Sequence, residues 1–534
     1  MASKIERDER LSSFLRIFKN ELQSRSDCSR PSVRRQIERL SKRAVYSHSL
    51  QDVTNPTLNK FLDTCREVEI TNVHLNDDIR SYASSFIYRA LANANSRNGI
   101  REDGYDVNTT YTLSHWKFGP GASSGVKGSH FYDKLGQLTV TSRAAPLARL
   151  LINLNPYLKS ELGQRMKIVS GSKMSVVPKN EHIGRTICSE PSLNMAIQLS
   201  LGMQIEEGLK SIGVDISCQQ DKNANLAISG SIFNDTCTID LRSASDLIQF
   251  DLLEQLWPAS WIWWFKVSRS EQTYISNMKC DVNLPMVSTM GNGFTFPMMT
   301  LTILGLIYGV YSVYFSHLLS HNGNLDYNKV AVFGDDIICH SEVYDKVKTC
   351  LHESGLSVNE DKSYVRGPFR ESCGTDAYSG DIITPFYVKA LASNPEIYIA
   401  YNGLMSWCRR NNIFLPLTLN LLRSFIEGPV FLVPEWYQPY SGCYTSAVPD
   451  VITYYQYVPY TKNVRLYNEH HMLVILGSYN VPYCRSKHQD VITISPRDKQ
   501  GEYKIRRSRL PKCFRDGLDY SKPTPNASYY DFIT

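Results

Sequence analysis

The sequence predicts an α+β fold in which an antiparallel sheet is packed by helices, and three observations predict it. Val330–His340 places two short apolar runs on either side of Gly334-Asp335-Asp336; β-forming residues around a two- to three-residue Gly/Asp turn read as a β-hairpin. Cys237-Thr238-Ile239 reads as the close of a strand with Asp240 at its end, and Leu247, Ile248, Phe250, Leu252 and Leu253 then follow helical spacing. Between these segments, the tight loop Gly291-Asn292-Gly293 leads into an apolar stretch from Met298 to Leu319.

In chain order, the sequence reads as helical to about residue 100, followed by a Gly/Ser-rich loop at Gly119–Ser129. Helices and strands run to about 235, a mixed segment to about 395, then helices near 402–427 and many short Tyr/Val-rich pieces. The 534 residues, 42% hydrophobic and 21% charged, are those of a globular chain able to form about one to three units. Net charge is only +6, but residues 1–45 hold twelve Lys or Arg against six acids, and 497–515 is also basic. Such ends suit a phosphate backbone or a solvated helix face. Thirteen cysteines without a C-x-x-C pair argue against a zinc site and for reduced thiols. The polar N-terminus carries no signal-peptide pattern.

No charged residue lies between Asp281 and Asp326, so residues 298–319 are long and apolar enough to span a membrane. Thr300, Thr302, Ser312, Ser316 and His317 interrupt the segment, and a buried core helix is expected instead. Trp257, Trp261 and Trp264 share one helical face and are expected in the core.

Two adjacent carboxylates at a hairpin tip repel each other, and a divalent cation relieves that cost. Hard oxygen ligands at a rigid turn suit Mg²⁺; an ordinary Asp-rich turn is the alternative. Asp240 supplies a second carboxylate site on a rigid element. Ser243, Ser245 and Asp246 also qualify as helix caps. Ser288, Thr289 and Asn292 offer hydroxyl and amide groups to a ribose or phosphate. Lys167, Lys173, Lys179 and Arg185 offer cations to a triphosphate, or form a solvated face. Lys362 follows an amphipathic helix marked by Val347, Cys350 and Leu351.

In this order the features resemble the palm of RNA-dependent RNA polymerases, in particular the replicase subunit of positive-strand RNA bacteriophages, the leviviruses. The resemblance runs from Val169 to Lys389 and is carried by Val177-Pro178-Lys179-Asn180, Arg185, Glu190-Pro191 and Asn194-Met195. It continues through Asp240-Leu241, Ala244-Ser245-Asp246, Ser288–Phe296, the Gly-Asp-Asp hairpin, Gly367–Gly374 and Thr384-Pro385-Phe386-Tyr387. Phe333 stands where the family usually has Tyr and is expected to pack; Arg242 and Leu247 stand where serines are expected.

The resemblance implies a right-hand polymerase: a basic, mostly helical extension (1–110), fingers with a basic segment for incoming nucleotide (111–235), a palm (236–395) and a thumb with additions (396–534). It implies RNA-directed RNA polymerisation from NTPs without a primer, with two Mg²⁺ ions (Mn²⁺ as a substitute) held by Asp240, Asp335 and Asp336. Asp336 is either a ligand or an electrostatic support. Lys179 and Arg185 would contact the triphosphate, with Glu190 orienting one of them, and Lys362 would protonate departing pyrophosphate. Ser245, Asp246, Ser288, Asn292 and Thr295 would read the sugar. The implied partners are single-stranded RNA template and product, host elongation factors Tu and Ts and a ribosomal small-subunit protein, with no membrane, in the cytoplasm of the infected bacterial host. A reverse transcriptase and a non-catalytic RNA-binding assembly factor are the alternatives.

Overall fold

The computed structural model describes residues 4–447, apart from 48, 98–103, 120, 127–133, 135–136, 155–165 and 181, together with strands within 451–511. The chain divides into two compact units. One comprises residues 1–55, 178–185 and 385–534, the other 56–177 and 186–384.

In the first unit, Leu11, Phe14, Leu15, Phe18 and Leu22 line one face of the helix Lys4–Arg25, at the three- and four-residue spacing that an amphipathic helix requires. They join a core with Ile397, Tyr398, Leu404 and Trp407 of helix Asn394–Asn411 and with Leu419 and Leu422 of helix Pro416–Ser424. Glu21 is buried there and accepts the backbone N–H groups of Leu417 (2.9 Å) and Thr418 (2.7 Å). It satisfies the otherwise unpaired N–H groups at the start of the Pro416 helix.

The second unit holds the predicted hairpin. Its elements used below are α1 (Asp77–Arg97), α2 (Ser192–Ser211), α3 (Gln219–Phe233), β1 (Thr236–Arg242), α4 (Thr295–Tyr314), β2 (Ala331–Phe333), β3 (Asp336–His340), α5 (Tyr344–Glu353), β4 (Ser357–Val358), β5 (Phe369–Ser372) and β6 (Thr375–Tyr378). An antiparallel sheet runs β4-β1-β3-β2, and β5 and β6 form a second hairpin. The α+β class is therefore as the sequence predicts. The apolar stretch is α4, buried along most of its length. It is the one helix among the described residues long and apolar enough to cross a membrane. At Gly309 a Cβ would lie 2.6 Å from the Ile79 carbonyl oxygen, and at Gly305 3.2 Å from that of Ala83. The two glycines let α4 and α1 approach more closely than larger residues allow.

Three expectations are corrected. β1 runs two residues past Asp240, because Leu241 and Arg242 pair with β4. The helical spacing after Asp240 belongs to two short helices, Ala244–Leu247 and Phe250–Leu256. They break at Ile248, whose backbone is extended and whose carbonyl accepts the Val287 N–H at 2.8 Å. Trp257, Trp261 and Trp264 are buried as expected and Trp263 stays exposed, but they do not share one helix face, since Trp257 and Pro258 precede the helix Ala259–Ser268.

Candidate active site

The hairpin turn has two residues, Gly334 and Asp335, between Phe333 and Asp336, which pair directly. Gly334 has φ 63°, the left-handed region at the first turn position that two-residue hairpins favour. A Cβ there would also lie 2.5 Å from Phe296 Cε2. Its N–H donates to Thr300 Oγ1 at 3.1 Å, and the Phe333 ring meets Phe296 edge-on at 4.7 Å. The turn is thus anchored to the first turns of α4, and Phe333 packs as expected.

On the neighbouring strand Asp240 is paired directly with Asp336, so both side chains leave the same face of the sheet. Asp335, exposed at the turn, lies beside them. Burial, then the charges of Asp335 and Asp240, push the Asp336 carboxyl up to about 7. The backbone N–H and thiol of Cys373 donate to it and oppose that rise. Cys373 occupies the β5–β6 turn with φ 49°. Asn223 of α3 secures this turn, donating to Ser372 Oγ at 3.3 Å and reaching the Asp336 carbonyl at 3.5 Å.

Asp240 Oδ2 accepts from Asn359 Nδ2 at 2.6 Å and from Lys362 Nζ at 3.3 Å. Lys362, assigned by resemblance to the leaving group, here faces an acid of the site. Neither Asn359 nor Cys373 was singled out for a role from the sequence. Cys373 lies within Gly367–Gly374 and Asn359 three residues before Lys362, and only the strand pairing brings them to the carboxylates.

A third group of predicted residues gathers between residues 245–246 and the loop 288–295. The half-buried Asp246 carboxylate accepts from Ser245 Oγ (3.2 Å) and the Met290 N–H, and burial pushes it up to about 6. Buried Ser288 donates its hydroxyl to the Ser245 carbonyl at 3.4 Å. Asn292 uses both ends of its amide. Its Oδ1 accepts from the Thr289 N–H (2.9 Å) and Oγ1 (3.1 Å), and its Nδ2 donates to Glu190 Oε1 (2.9 Å). The Thr295 hydroxyl donates to the Thr289 carbonyl at 3.1 Å. Asn292 and Thr295, expected to face a sugar, also satisfy polar groups of their own loop. Glu190 is buried and also accepts from Ser270 N–H (3.2 Å) and Oγ (2.7 Å). Burial raises its carboxyl, and those bonds with nearby Arg269 pull it back. Lys179 and Arg185 lie in the segment 178–185, grouped with the first unit. There the Asn180 side chain closes the turn by accepting the His182 and Ile183 N–H groups.

The carboxylate group is an open one. Among the described residues no three of His, Cys, Asp and Glu converge closely enough to hold an ion by themselves. Asp336 supplies the positive sign of fit, since its neighbours' negative charge favours a proton or cation there.

A family model described as "RNA replicase, beta-chain" matches residues 26–474. The RNA-directed RNA polymerase beta chain of Escherichia phage MS2 is 33% identical over 277 residues, 51% of this chain and 48% of that one. The RNA-directed RNA polymerase subunit beta of Qbeta virus (strain MX1) is 31% identical over 367 residues, 67% of this chain and 59% of that one. The chain thus spans about half the length of the curated relatives it matches. The RNA-dependent RNA polymerase of a human picobirnavirus aligns over 77% of this chain and 83% of that one, at 12% identity and a TM-score of 0.45; a likeness that weak carries no argument. The match through residues 26–474 is the decisive one, and by it the chain belongs to the RNA replicase beta-chain family.

Proposed function

We propose that the chain is an RNA-directed RNA polymerase that copies single-stranded phage RNA from NTPs, starting without a primer. The observation that carries this reading is the opposition of Asp240 and Asp336 with Asp335 at the adjoining turn. On this reading residues 111–235 are fingers, 236–395 palm and 396–534 thumb with additions, with 1–110 a basic extension.

Asp240 and Asp335 are the proposed ligands of two Mg²⁺ ions, and Asp336 is a ligand or an electrostatic support. Bound there, the metals would activate the attacking 3′-hydroxyl and stabilise the departing pyrophosphate. Lys179 and Arg185 neutralise the triphosphate. Ser288, Asn292 and Thr295 are the proposed readers of the sugar, and Asp246 or Ser245 the proposed sensor of its 2′-hydroxyl. The Glu190–Asn292 bond fixes the loop that carries Ser288. The proposed partners are template and product RNA, host elongation factors Tu and Ts and a ribosomal small-subunit protein, in the cytoplasm of the infected bacterium.

The test is incorporation of labelled ribonucleotides on unprimed single-stranded RNA with Mg²⁺, with and without bacterial extract. Template-dependent product from wild type, reduced on the order of 10²-fold or more in Asp335→Asn, supports the polymerase. Preference for deoxynucleotides would point to a reverse transcriptase. RNA binding without product in either condition would point to an assembly factor.

A further inference from the structure

We propose that Asn359 is a positioning residue for Asp240: together with Lys362 it places both side-chain donors on Oδ2 and leaves Oδ1 as the oxygen offered to a cation. This rests on the metal-dependent reading of the site.

Besides the Lys362 bond to Oδ2, one short turn, residues 359–363, holds Asp240 at three further points. The Asp240 N–H donates to Ser363 Oγ at 3.2 Å, the Asn359 N–H donates to the Asp240 carbonyl at 2.8 Å, and Asn359 Nδ2 donates to Oδ2 at 2.6 Å. Ser363 Oγ in turn donates to the Asn359 carbonyl at 2.8 Å, closing a ring of hydrogen bonds around the acid. The β4–β1 pairing, Ser357 with Arg242 and Val358 with Leu241, delivers this turn to Asp240.

The side chain of Asn359 is not explained by local structure. It precedes the 3-10 turn Glu360–Lys362 and makes no capping hydrogen bond to it, although capping is the usual work of asparagine in that place. It reaches across to the neighbouring strand instead. Because a carboxylate only accepts, the amide must present its NH₂ there, and its orientation is fixed. Asn359 is also the rigid half of the clamp, tied at its own backbone. Lys362 sits on a long flexible stem and can leave Oδ2 without disturbing the turn.

The two donors make opposite predictions, which separates positioning from charge. The experiment measures Mn²⁺ binding to the full chain by the electron paramagnetic resonance of free Mn²⁺. It also measures the Mg²⁺ concentration for half-maximal nucleotide incorporation and the melting temperature in EDTA. Asn359→Ala should loosen Mn²⁺ and raise the Mg²⁺ requirement about tenfold, as loss of a residue supporting a metal ligand does, with the NTP KM at saturating Mg²⁺ unchanged. Lys362→Met removes a competing positive charge and should leave Mn²⁺ binding equal or tighter. If Asn359→Ala melts early, Asn359→Gln carries the same test, since its added methylene moves the amide off Oδ2. Wild-type Mn²⁺ affinity and Mg²⁺ requirement in a folded Asn359 variant would overturn the proposal while leaving the polymerase standing. Looser Mn²⁺ in the variant of a chain whose wild type makes no RNA would support the clamp and remove the polymerase.

Discussion

Asp240 and Asp336 occupy directly opposed positions of two antiparallel strands, and burial, with the charges of Asp335 and Asp240, pushes the Asp336 carboxyl up to about 7. An unfolded chain releases that proton near the ordinary carboxylate range. Between those values the native state binds more protons than the unfolded one, so metal-free stability falls as pH rises from about 4 to about 7. The loss is on the order of a few kcal/mol. Denaturant unfolding in EDTA at about pH 5 and about pH 8 reads it. Asp336→Asn should flatten the difference, and an equal slope in wild type and variant would show that Asp336 is not its source.

Gly334→Ala should destabilise the protein by about 1–3 kcal/mol, because it puts a Cβ against Phe296 in a left-handed turn. It should also depress incorporation, since the turn carries Asp335. A double variant with Phe296→Leu should recover part of the stability and little of the activity. Melting curves and incorporation assays on the same preparations decide this, and a neutral Gly334→Ala would remove the steric argument.

Arg370 is fully buried and donates to the carbonyls of Thr236 (2.7 Å), Gly367 (2.8 Å), Phe369 (2.7 Å) and Val365 (3.0 Å), and to Asn234 Oδ1 (2.8 Å). It ties the strand before Cys373 to the strand that carries Asp240. Arg370→Met orphans those acceptors and should cost about 3–5 kcal/mol in urea unfolding. Lysine, with three donors against five, should restore less than half of that loss.

Glu190→Ala removes the acceptor of Asn292 Nδ2 and of the Ser270 N–H and hydroxyl. Weakening by about 1–3 kcal/mol is expected, together with a raised NTP KM, because the loop that loses its support carries Ser288 near Asp246. Steady-state kinetics with varied NTP test it; a change confined to kcat would argue against a role through that loop.

What was legible in the sequence was local. A two-residue Gly-Asp turn, an acid on a strand and a long uncharged helix each announce themselves in a window of a few residues, and Gly334, Asp240 and α4 stand accordingly. What was not legible depends on pairing between distant segments. Asn359 lies 119 residues from Asp240, and only the β4–β1 register makes it a neighbour. Cys373 meets Asp336 because the β5–β6 turn is held beside β3 by Asn223. The helix expected after Asp240 breaks at Ile248 because Val287 needs its carbonyl, a demand no spacing rule contains. Asn292 and Thr295 hold their own loop together, and the sequence shows them only as polar loop residues, whether the partner is a ligand, the backbone or both.

The uncharged helix α4 also bears on how the chain is made. In isolation Thr295–Tyr314 has the character of a segment that aggregates or is drawn to lipid while it is bare. Its cover, α1 at Gly305 and Gly309, is encoded upstream and has left the ribosome by the time α4 emerges. The order of synthesis therefore supplies the shelter before the guest. A circular permutant beginning after residue 97 would place residues 77–97 behind residue 314 and leave α4 bare for the whole interval in which the rest is translated.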